Sequence, residues 1–160
     1  MKTISGLGQS SHRFLQPGSS KPCVIAGVIF DHCPGFQSKS DGDVVFHALC
    51  NAISSLTGVQ VLGTIARDLC LKEGITDSVI YLQKALIALV GKEILHVAIS
   101  LEAKRPHFQE HIPSMVQNIA SILMIPSSQV GITAISGDGL TDVSCGDGVS
   151  CTALLSVHIP

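Results

Sequence analysis

Apolar residues recur at Val44, Val45, Ala48, Leu49, Ala52, Ile53 and Leu56, the spacing of one helical face, and Gly58 supplies a stop. Ser40 and Asp41 are suitable N-cap residues, and Asp43 stands in the first turn, where the helix dipole favours negative charge. Before this helix the pattern predicts a strand over about 2–9, a loop through SSHRFLQPGSSKP, and a β-branched strand CVIAGVIF leading into the loop 31–43. After it, a short helical turn is expected around 62–71. A longer helix follows from Asp77 to about Val90, closed by Gly91.

ILHVAISLEA reads as a strand, and HIPSMVQNIASILM as a helix with Pro113 in its first turn and His111 placed to cap it. VGITAIS and CTALLSVHI read as two strands around a Gly-rich turn. Strands alternating with helices predict an α+β fold, a mixed sheet with helices on one face, in a single domain over 1–160.

Composition adds an expectation of self-association. The 160 residues are 46% hydrophobic and only 14% charged, with a mean hydropathy of +0.45. Apolar surface left over after folding is expected to enter a subunit interface, so a homo-oligomer is predicted. The longest apolar runs fall well short of the roughly 20 residues of a membrane span, and no leader pattern opens the chain, so a cytoplasmic location is expected. Six scattered cysteines without a CxxC pair point to reduced thiols. A net charge of −2 with no basic run gives no footing for nucleic acid. GDG at 137–139 and 146–148 shares the period of calcium-binding nonapeptide arrays, but two copies cannot build that stack.

The candidate chemistry centres on histidine. On an extended strand Ser10 and His12 would point to the same side. His47, in the first turns of the helix after SDGD, stands near amides suited to phosphate. Together His12 and His47 are two imidazoles on separate elements that could converge on one cation.

GLGQSSHRF, SKSDGDVVFHAL, EAKRPHFQEHIP and ITAISGDGLTDVSCGDGVSC resemble, in order and over nearly the whole chain, the motif blocks of the 2-C-methyl-D-erythritol 2,4-cyclodiphosphate synthase family. The resemblance implies a four- to five-stranded sheet in each subunit, and a homotrimer with sheets around a central axis and active sites at subunit boundaries. It implies a cytidine diphosphate substrate whose 2-phosphate attacks its own β-phosphorus, closing a cyclic diphosphate and expelling CMP.

By the same resemblance, His12 and His47 hold zinc or another divalent transition metal, with Ser10 at the position of the family's aspartate ligand. Asp138 would place a second cation, magnesium or manganese. Lys39 and Ser136 are the implied catalytic residues. Substrate contacts fall to Ser40, to Leu62 and Gly63 at the diol, and to Ala103, His107, Phe108 and Gln109 around cytosine. Ala134, Ile135, Gly137 and Cys145 complete the implied set. Ser10, Val61 and Cys145 depart from the family pattern, which leaves open an alternative, a catalytically impaired trimer that still binds cytidine nucleotides.

Overall fold

Residues 2–160 are described by a computed structural model. In chain order the elements are β1 (Lys2–Arg13), β2 (Val24–Ile25), β3 (Val28–Ile29), α1 (Val44–Thr57), α2 (Ala66–Glu73), α3 (Ser78–Ile87), β4 (Glu93–Glu102), α4 (Ile112–Leu123), β5 (Val130–Ile135) and β6 (Gly148–Ile159). β1, β6, β4 and β5 form one four-stranded sheet in that order, and only the β4–β5 pair is parallel. The expected mixed sheet is therefore present. The last two strands, however, are not neighbours. β6 crosses to pair with both β1 and β4, leaving β5 at the edge.

Alternation along β4 and β6 divides the sheet into two faces. Val97, Ile99, Leu101, Val149, Cys151, Ala153, Leu155 and Val157 are buried on the inner face, where α1 lies against β1 and β6. Leu7 and Leu154, paired across β1 and β6 on the other face, remain 55% and 42% exposed. α1 is the centre of the core. Its face from Val44 to Ile53 is fully buried, as the 3.6-residue spacing predicts.

Gly6 and Gly8 make room for α1. A Cβ on Gly8 would stand 2.0 Å from the carbonyl oxygen of Ala48 and 2.3 Å from the amide nitrogen of Ala52. Both obstacles are backbone, so neither can swing aside. Gly8→Ala is expected to cost more than about 3 kcal/mol, at the top of the range for overpacked cores. Urea unfolding measures this, and an unchanged midpoint would contradict the close approach.

Several boundaries differ from expectation for identifiable reasons. β1 continues to Arg13, so Ser10 and His12 belong to the strand rather than to a loop. The run 23–30 is a tight hairpin, turned by Ala26 and Gly27 at φ 51° and 73°. Asp43, rather than Ser40 or Asp41, caps α1, its side chain accepting from the amides of Val45 and Phe46. α3 stops at Ile87, short of Gly91. His111 occupies the capping position of α4 without a side-chain bond, and its ring rests edge-on against Phe30 at 4.7 Å. All six cysteines are free thiols. Burial pushes the Cys23 and Cys50 thiols up to about 12, which keeps them protonated.

Candidate active site

β1 and α1 bring the two histidines together. His12 projects from the end of β1 on its α1-facing side, and His47 lies one turn inside α1. The His12 Nε2 and His47 Nδ1 atoms stand 3.2 Å apart, with the rings edge to face.

A relay behind His47 decides its tautomer. The amide and hydroxyl of Ser78 both donate to the Asp41 carboxylate. With its proton committed to Asp41, the Ser78 hydroxyl accepts from His47 Nε2–H at 2.8 Å. The lone pair of Nδ1 is thereby left facing His12. Ser40 Oγ lies 3.3 Å from the same Nε2 and supports the ring from the other side.

Burial discourages a second proton on either ring. It is the main cause that lowers His47 to about 4, helped by the neighbouring His12 and opposed by Asp41. It also lowers His12, with the Lys21 charge acting in the same direction. An unfolded chain would protonate these rings near the ordinary value of 6.5, before the folded chain does. The contribution of His47 to stability is thus complete above pH 6.5 and is lost as pH falls toward 4. It amounts to about 3 kcal/mol at most. Urea unfolding of chelator-treated protein at pH 7.5 and 4.5 checks this, and His47→Gln is expected to remove that part of the loss.

Lys21 organises the segment in front of the rings. Its ammonium donates to the carbonyls of Phe36, Ser38 and Ser40 at 2.9, 2.7 and 2.7 Å, which spends all three of its protons. This knot sets the backbone that carries Lys39 and Ser40. A cavity of about 280 Å³ opens there, lined by His12, Lys39, Ser40, His47, Leu62 and Arg67, with Cys70 and Tyr81 also on its wall.

The structure thus gathers His12, His47, Lys39, Ser40 and Leu62 at one cavity, and Gly63 follows Leu62 in the same turn. Ser10 is half-buried on the same side of β1 as His12 but is not among the cavity-lining residues. Ala134, Ile135, Ser136, Gly137, Asp138 and Cys145 lie elsewhere in the protomer, in and after β5. Ser136 Oγ donates to Asp138 within that turn at 3.1 Å. Ala103 and Phe108 are buried, Gln109 is exposed, and His107 lines a separate cavity of about 360 Å³ with Arg105 and His111.

Asp41 in its relay role, together with Ser78, Lys21 and Arg67, escaped sequence reasoning. Ser78 follows a helix cap and had no other signal. Lys21 sits in a Ser-rich loop, and Arg67 on a short helix with little periodicity.

A family model described as the YgbB family matches residues 3–158. The chain belongs to the YgbB family. Among its relatives, a Chlamydia caviae protein named 2-C-methyl-D-erythritol 2,4-cyclodiphosphate synthase is 54% identical over 95% of this chain and 87% of its own length. One of the same name from Chlamydia trachomatis is 49% identical over 95% and 86%. A solved Plasmodium falciparum structure, described as IspF in complex with CDP, superposes with a TM-score of 0.80. It covers 99% of this chain and 96% of that one at 22% identity, which establishes the common fold.

In this YgbB-family chain the histidine pair suits a metal ion. Two nitrogens bound at 2.0–2.1 Å to a tetrahedral centre stand about 3.3 Å apart, close to the separation observed between His12 and His47. His47 Nδ1 presents its lone pair to the gap, and His12 Nε2 presents one there in the tautomer that carries its proton on Nδ1. No third His, Cys, Asp or Glu joins them among the described residues, so the protein supplies two strong donors and not three.

Proposed function

We infer that this chain is a 2-C-methyl-D-erythritol 2,4-cyclodiphosphate synthase, a phosphorus–oxygen lyase of isoprenoid biosynthesis. It cyclises 4-diphosphocytidyl-2-C-methyl-D-erythritol 2-phosphate and releases CMP. The observation that carries this reading is the His12–His47 pair at a cavity also lined by Lys39, in a chain half identical to synthases along nearly its whole length.

The reaction needs no water. An oxygen of the 2-phosphate bonds to the β-phosphorus as the bond from that phosphorus to the CMP oxygen breaks, and CMP departs with the electron pair. Catalysis is then mostly alignment of nucleophile and leaving group and neutralisation of the charge they share. Lys39 meets a phosphoryl group as a point charge, and Ser40 steadies both His47 and the approach to it. Leu62, on the cavity wall, and Gly63, next in the same turn, are assigned to the methylerythritol diol.

His12 and His47 would hold zinc, with Ser10 beside them as a weak neutral donor. When bound, such an ion would polarise a phosphoryl oxygen. Asp138 would contact a magnesium or manganese ion brought in with the substrate diphosphate. Ser136, Asp138, Ile135 and Cys145 lie away from this protomer's cavity, so the complete site is assigned to a homotrimer in which a neighbouring copy brings that turn to the histidines. Exposed Leu7 and Leu154 on the outer sheet face support burial of that face around a central axis. Ala103, His107, Phe108 and Gln109 are assigned to the cytidine end, in keeping with the CDP held by the structural relative.

Phosphorus NMR of purified protein with the cytidylated substrate, zinc and magnesium tests the assignment. Cyclic diphosphate and CMP resonances are expected to grow in equal amounts. Tight nucleotide binding without cyclic product would favour the impaired trimer instead.

A further inference from the structure

We propose that the His12–His47 cavity takes up a divalent metal in concert with a diphosphate, whose oxygens provide the anionic donors that the chain itself withholds. This deepens the function assigned above and rests on it for the diphosphate.

The first argument is the donor inventory. The protein offers two imidazole nitrogens, and no carboxylate or thiol completes a triad among the described residues. The nearest acids are already committed. Asp41 accepts from the Ser78 hydroxyl, the Ser78 amide and the Asp43 amide. Asp43 is fully buried and accepts from four backbone amides. Turning half-buried Asp41 or buried Asp43 toward the cavity would strip three or four hydrogen bonds from its carboxylate, a cost of several kcal/mol. Ser10 contributes only a neutral hydroxyl, a poor ligand for zinc.

The second argument is the sign of the local field. Lys39 and Arg67 line the cavity, and neither forms an ion pair among the described residues. Lys21, whose partners are all uncharged carbonyls, adds a third positive charge nearby. A bare dication entering this space meets these cations at the wall, offset only by Asp41, which sits behind His47 with its carboxylate held by Ser78 and does not line the cavity. A diphosphate reverses both terms, since it pairs with Lys39 and Arg67 while presenting oxygens to a metal held by the histidines. Arg67 is accordingly assigned as a diphosphate contact, a role suited to its fork of donors.

The consequence is thermodynamic linkage, in which metal and diphosphate raise each other's affinity by the same factor. Calorimetric titration of the full chain with zinc in a metal buffer, with and without saturating CDP, measures it after correction for zinc–CDP association in buffer alone. Zinc affinity is expected to rise at least tenfold with CDP, and CDP affinity to rise by the same factor with zinc. CMP, which lacks the diphosphate, is expected to produce less than a threefold change. Ser10→Asp is expected to tighten zinc binding without nucleotide and to shrink the coupling, while Arg67→Gln weakens CDP binding without weakening zinc binding in the absence of nucleotide. Equal zinc affinity with and without bound CDP would overturn the proposal and leave the synthase assignment standing. CDP that fails to bind with or without zinc would overturn both.

Discussion

His47→Ala is expected to lower cyclodiphosphate formation by at least about a hundredfold, since loss even of outer-shell partners of a metal ligand typically costs 10–100-fold. The substitution removes the Nδ1 lone pair that faces His12 Nε2 at 3.2 Å and leaves Ser78 without the N–H it accepts. It also opens a small void beside Tyr81, whose ring lies 6.2 Å from that of His47. His47→Gln separates the terms, because it retains polar atoms and most of the volume but not the ring. Steady-state kinetics at saturating substrate, with circular dichroism to verify folding, provides the measurement. Turnover within threefold of the parent in a folded His47→Ala protein would remove His47 from the chemistry.

Asp43→Ala is expected to destabilise the fold by about 3–5 kcal/mol, summing a lost N-cap with two further unpaired amides around a removed buried anion. One oxygen of Asp43 accepts from Ala26, Val45 and Phe46 at 2.9 to 3.1 Å, and the other from Gly27 at 2.8 Å. The same carboxylate therefore starts α1 and ties down the β2–β3 hairpin. Burial pushes its carboxyl upward, while the amides pull it back by favouring the anion. Asp43→Asn keeps one acceptor oxygen but presents an NH₂ to the Gly27 amide, so a smaller loss is expected. Guanidinium unfolding ranks the three proteins, and equal midpoints would show the carboxylate to be dispensable.

The elements that periodicity revealed are those whose burial is one-sided and continuous. α1, with its stripe from Val44 to Ile53, and β4 and β6, with alternating inner residues, are of this kind. The Ala26–Gly27 turn was hidden because alanine at φ 51° carries no turn signal and its neighbours are all apolar. The cap of α1 was misplaced because SDGD offers three capping residues within four positions. The choice fell to Asp43 through the amides of Ala26 and Gly27, which are remote in sequence.

At the site, His12 and His47 were visible as residue types, and the resemblance singled them out. Their supports were not. The relay from His47 through Ser78 to Asp41 joins positions separated by 31 and 37 residues, and Lys21 binds carbonyls, which have no side-chain signature. Such partnerships exist only once the chain has folded.

The bare backbone contact between Gly8 and α1 has a dynamic corollary. His12 and His47 ride on the two elements that this contact locks together, so the gap between their nitrogens is expected to belong to the slowly exchanging core. Arg67 stands exposed on the short helix α2, which is expected to open more often than that core, and the Lys39 side chain is exposed on a backbone that Lys21 ties down. Proton exchange with deuterated solvent should therefore report one rigid jaw and one that breathes. Access to the histidines would then be timed by the cationic side, while their spacing persists until the whole fold melts.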